Sequence, residues 1–107
     1  MQQAISDPTG FNAILTDECW EHIAAHHPEM APFRHFVVET VQQPDGIYSG
    51  KRDPARRIYR KRYVHVAGVG DSLDILVFVG SADQYVATAY FVAYSFRMLG
   101  ALIWPSS

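Results

Sequence analysis

The chain is short of several things, and each shortage excludes something. It has one cysteine, Cys19, among 107 residues, so no internal disulfide can staple it. That scarcity points to a reducing compartment, and a cytoplasmic protein is expected. No apolar run approaches the ~20 residues that a membrane span requires, so no membrane partner is expected. The opening residues, Met1 to Asp7, lack both a basic start and an apolar stretch, which predicts no secretory signal. Repeats, low-complexity tracts and linkers are missing as well, and one domain over 1–107 is expected. Basic residues are scarce everywhere but in one place. Of the nine Lys and Arg, seven lie between Lys51 and Arg62, so a net charge of -2 conceals a polarised molecule.

What is present suits a folded core. Hydrophobic residues make up 49% and charged residues 19%, which excludes a disordered chain. Residues before Ile14 give little periodic signal, and Pro8-Thr9-Gly10 marks a turn. Thr16-Asp17-Glu18 predicts a helix start, with a capping hydroxyl and two acids in the first turn. That helix should run to His27 and stop at Pro28, burying Trp20, Ile23, Ala24 and His27. Met30, Phe33, Phe36, Val37 and Val41 predict a second helix, starting near Ala31 or Pro32 and ended by Pro44-Asp45-Gly46.

The remainder reads as strands. Ile47-Tyr48-Ser49 is a short candidate. Residues 56–66, 73–79 and 84–94 are longer ones, separated by glycine-containing turns of hairpin length. The tail, 95–104, reads as a short helix or an extra strand. The expected class is α+β: two N-terminal helices packed on an antiparallel sheet of three to four strands.

The basic stretch has two readings. It is a solvated edge strand, where Lys and Arg block aggregation, or a surface for a polyanion such as RNA. Strand parity puts Val86, Thr88, Tyr90 and Tyr94 on one face, and Ala87, Ala89, Phe91 and Ala93 on the other. Arg60 and Arg62 share a face, as do Tyr59, Lys61, Tyr63 and His65. Thr88 and Tyr90 are either ordinary strand residues or a pair of hydroxyls facing cations. Cations, hydroxyls and a histidine are what metal-free RNA cleavage uses: one group takes the 2′-hydroxyl proton, one stabilises the phosphorane, one protonates the leaving oxygen. His22 is the favoured acid or base. His27, beside Pro28, reads as a buried structural residue. His22 and His26 are four apart and could share a metal with Glu18 or Glu29, but the HExxH and cysteine-pair patterns are absent, so no metal and no cofactor is expected. Cys19 reads as a small buried residue.

Taken together, Thr16 to Ile23, His27-Pro28-Glu29, Glu39-Thr40-Val41, Pro44-Asp45-Gly46-Ile47, Arg57-Ile58-Tyr59 and Val86-Ala87-Thr88-Ala89-Tyr90 resemble the phage-associated nuclease-like families grouped with barnase, EndoU, colicin nuclease domains and RelE toxins, the BECR fold. The resemblance spans about Leu15 to Tyr90. It implies a helical N-terminal part, a four-stranded antiparallel sheet and metal-independent RNase activity in toxin or phage-conflict systems. It further implies a site of His22, Arg60, Arg62 or Lys61, Thr88 and Tyr90.

The expectation is therefore an RNase-like domain with catalytic His22, Arg60, Arg62, Thr88 and Tyr90, binding RNA through Lys51, Arg52, Arg56, Arg57 and Lys61. The alternative is a non-catalytic module that holds nucleic acid or an acidic partner such as an antitoxin or immunity protein. A third reading is a structural phage or mobile-element protein that pairs as a homodimer through a sheet edge or its apolar tail, Phe96 to Trp104.

Overall fold

The computed structural model describes residues 2–105. The chain opens with a hairpin, β1 (Gln2–Ser6) and β2 (Asn12–Thr16), where no element is expected. Only Ile5, Ala13 and Leu15 of these strands are buried, too few to leave an alternating pattern. Asp7 closes the turn, its carboxylate accepting from the Thr9 and Phe11 amides and the Thr9 hydroxyl.

The first helix, α1 (Asp17–His26), starts as expected. Thr16 is extended, and its hydroxyl accepts the Cys19 amide at 3.0 Å. The second helical region differs from expectation. It is a 3₁₀ helix, Pro28–Phe33, followed by α2 (Arg34–Gln42). Pro28 and Pro32 have no amide to donate, and the chain regains α geometry only at Arg34.

Five strands then form one antiparallel sheet: β3 (Gly46–Gly50), β4 (Arg56–Val66), β5 (Gly70–Gly80), β6 (Val86–Val92) and β7 (Leu99–Trp104), in the order β6-β5-β4-β3-β7. The expected three or four strands are thus five in one sheet, with two more in the opening hairpin. The fifth is the tail: β7 pairs with β3 on the edge far from β6. Residues 93–98 must therefore cross the sheet to join the two edges.

Alternation sorts the sheet into two faces. Tyr59, Ile75, Val77 and Ala89 join Ile23, Met30, Val37 and Val41 of the helical segments and Ile5 and Leu15 of the hairpin in the main core. Ile58, Leu76 and Leu99 form a smaller cluster on the opposite face, with Tyr48, Phe78, Tyr90 and Val92 packed against it. A register shift in β6 corrects one expectation: Thr88 faces Phe78, while Val86 faces Val79 and lies in the helix-side core, away from Thr88 and Tyr90. The α1 helix covers the β6 edge, where the Cys19 thiol donates to the Val86 carbonyl at 2.8 Å. No helix among the described residues is long and apolar enough to cross a membrane.

Candidate functional site

The face away from α2 carries a cleft of about 1210 Å³. That exceeds the ~300–1,000 Å³ of usual small-molecule pockets, and the cleft is open along one side, which suits a chain-like ligand. Its floor is Ile58 and Phe78, from the centre of the sheet. Ala87, Thr88 and Tyr90 of β6 line one wall, and Lys51, Arg52, Asp53 and Arg56 of the β3–β4 turn line the other. Arg97 and Met98 close it from the crossing segment. Four cations thus face one carboxylate.

The turn that presents these cations is tightly built. Gly50 admits no side chain, since a Cβ would overlap the Asp53 carbonyl. The Asp53 carboxylate accepts the Ala55 amide at 3.1 Å, and its carbonyl accepts the Arg56 amide at 3.0 Å. Arg56 also pairs loosely with Asp53, at 3.6 Å and with both side chains exposed, so its charge stays accessible.

Tyr90 has two neighbours at the cleft edge. Its hydroxyl lies 3.0 Å from Met98 Sδ, and its ring centroid lies 4.9 Å from that of His27. Burial pushes the Tyr90 phenol above its ordinary value, so it keeps its proton at neutral pH and can donate it. His27 is not the fully buried residue expected: its side chain is 32% exposed, and its Nδ1 lies 3.8 Å from Glu29 Oε1. His22, by contrast, is exposed on α1. Its ring meets His26 at 4.1 Å, and its carbonyl bonds the His26 ring. Among the described residues no third ligand-bearing side chain gathers beside them.

The basic strand divides by parity. Arg57 points to the helix side. Its Nη2 lies 3.1 Å from Asp7 Oδ2 and 2.9 Å from Thr9 Oγ1, and its Nε donates to the Tyr59 hydroxyl. Burial pushes the Asp7 carboxyl up, but the bonds from Tyr59, Thr9 and Arg57 outweigh it and hold Asp7 below the carboxylate range. Lys61 also leaves the cleft, donating to the Gln43 carbonyl at the C-terminus of α2. Both residues expected to contact RNA therefore lie outside the cleft, because odd positions of β4 face the helices.

Arg60 and Arg62 do lie on the Thr88–Tyr90 face, with Arg60 in the same row as Leu76 and Tyr90. Both are held by Asp74, which is buried: Arg60 Nε at 2.9 Å and Arg62 Nε at 2.7 Å. Ser95 donates to the same carboxylate at 2.7 Å. Burial opposes ionisation of Asp74, but the bonds from Arg62, Ser95 and Arg60 prevail and lower its pKa. Arg60 is covered by Phe96 of the crossing segment, whereas Arg62 stays exposed and donates also to the Ser72 hydroxyl.

The structure thus gathers Lys51, Arg52, Arg56, Thr88 and Tyr90 in one cleft, sets Arg60 and Arg62 beside it in a separate ion cluster, and leaves His22, Arg57 and Lys61 outside. The reading from sequence missed Arg97 and Asp74. Arg97 stands alone between apolar residues and carries no signal, whereas Asp74 is the one charge inside the apolar run 73–79, which marks a buried partner. Set against protein-family models, curated proteins and solved structures, the chain matches none.

Proposed function

We propose that the protein is a metal-independent RNase-like domain, in which the cleft binds RNA and the His27–Tyr90 pair does the chemistry. The observation that carries this is the 4.9 Å approach of an accessible imidazole to a protonated phenol at the rim of a cleft lined by four cations. His27 takes the proton from a 2′-hydroxyl, Glu29 orienting its ring. The freed oxygen attacks the adjoining phosphorus, and the bond to the 5′-oxygen breaks. Tyr90 hands its proton to that leaving oxygen, and the proton that His27 took then passes to the Tyr90 phenolate through water, which resets both groups. Arg56 and Arg97 stabilise the phosphorane charge, and Thr88 hydrogen-bonds a phosphate oxygen. The products are a 2′,3′-cyclic phosphate and a 5′-hydroxyl. A toxin or phage-conflict role in the cytoplasm, with an acidic antitoxin or immunity protein covering the same cations, accords with the family resemblance.

The test is cleavage of total RNA by the purified protein and by its His27→Ala and His22→Ala variants. The expected result is a loss on the order of 10²–10⁴-fold for His27→Ala, the usual weight of one acid–base group, and near-normal cleavage for His22→Ala. The reverse result returns the catalytic role to His22.

A second reading is a binding module without catalysis. The engagement of Arg60 and Arg62 by Asp74 favours it, because two cations expected at the phosphate are already paired. Salt-sensitive RNA binding with no cleavage selects this reading.

A further inference from the structure

Residues 93–98 carry a feature that the cleft chemistry leaves unused. Tyr94 is 64% exposed and Phe96 49%, and their rings meet edge to face at 5.6 Å. Neither belongs to a core cluster. They are exposed because the residue between them is not. Ser95 is fully buried and bonded to Asp74, which Arg60 and Arg62 hold in place. With Ser95 drawn inward at the head of a turn, its two neighbours are left on the outside. The following turn, with the Met98 amide donating to the Ser95 carbonyl at 3.1 Å, brings Arg97 and Met98 back to the cleft. Phe96 also rests on a cation, the Arg60 guanidinium lying 5.1 Å from its ring centroid.

We propose that Tyr94 and Phe96 are a stacking platform for unpaired bases, so that the ligand of this cleft is single-stranded RNA rather than a duplex. The proposal rests on the RNA-binding reading above and adds the strand class. Exposed rings adjoining Arg97, which lines the cleft with Lys51, Arg52 and Arg56, match what a single strand offers: phosphates for the cations and base faces for the aromatics. A duplex keeps its base faces stacked inside and cannot use such rings. The Asp74 cluster then has a purpose apart from catalysis. Arg60 and Arg62 are positioning residues, which fix the segment that displays the platform.

The test is fluorescence anisotropy with a short 2′-O-methyl oligoribonucleotide, which cannot be cleaved, and with its duplex. The expected result is tighter binding of the single strand. Tyr94→Ala and Phe96→Ala each weaken it roughly tenfold while leaving its salt dependence unchanged, because no phosphate contact is lost. Tyr94→Phe and Phe96→Trp restore binding. The rings are exposed, so the variants keep the wild-type circular dichroism. Equal binding of duplex and single strand, absent binding of both, or full binding by the Tyr94→Ala/Phe96→Ala protein each overturns the platform. In the last case the rings are left as a contact for a protein partner. Cleavage without ring dependence sinks this proposal alone, whereas ring-dependent binding without cleavage sinks only the catalytic reading.

Discussion

At the scale of single residues, the same side-chain type does opposite work on adjacent positions of β4. Arg56 faces the cleft with its charge accessible, whereas Arg57 is held against the buried Asp7. Arg57→Ala is expected to leave RNA affinity nearly unchanged and to cost about 3 kcal/mol of stability, because it removes the countercharge of a buried carboxylate. Urea denaturation beside a binding assay checks both halves. The acid limit of stability follows from the same chemistry. Asp7 and Asp74 both have folded pKa values below the usual one. As the pH falls, the unfolded chain therefore takes up their protons first. Their contribution is complete above about pH 4, and it is lost as the pH drops through the lower folded values. Thermal unfolding between neutral and strongly acidic pH should show a melting temperature that holds and then falls. Asp7→Asn should flatten part of that fall.

At the scale of elements, local signals and distant ones part company. The α1 start was legible because Thr16, Asp17 and Glu18 each favour a helix N-terminus for independent reasons. Thr16→Ala should cost about 1 kcal/mol, read as a lowered urea midpoint with unchanged slope. The bounds of β4 were legible too, since Arg56–Val66 is long and ends at glycine-rich turns. The opening hairpin was not, because its short strands bury only three residues and lean on the rest of the molecule. The split of the second helix was hidden in Pro28 and Pro32, whose effect depends on where the chain must turn. The face shared by Thr88 and Tyr90 followed from strand parity, but the bulge that removes Val86 from it did not. No rule of local pattern could set His27 against Tyr90, since that contact joins the end of α1 to the sheet edge it covers.

At the scale of the whole molecule, the charge is sorted by sheet face more than by position in the chain. The basic stretch is compact in sequence, yet parity and pairing divide it into cleft cations, helix-side cations and the pair on Asp74. Arg97 arrives from the other end of the chain to complete the cleft. Four cations at a single-stranded ligand predict a slope of about -2 to -3 for log affinity against log salt. Arg97→Ala should reduce its magnitude by roughly one phosphate's share, and Lys61→Ala should not change it.

The most direct test of the proposed cleavage is the chemistry of the RNA ends it should leave. RNA incubated with the protein in EDTA, with the fragments weighed by mass spectrometry, should yield 2′,3′-cyclic phosphates paired with 5′-hydroxyls. Intact RNA, or fragments ending in 3′-hydroxyls, would contradict it.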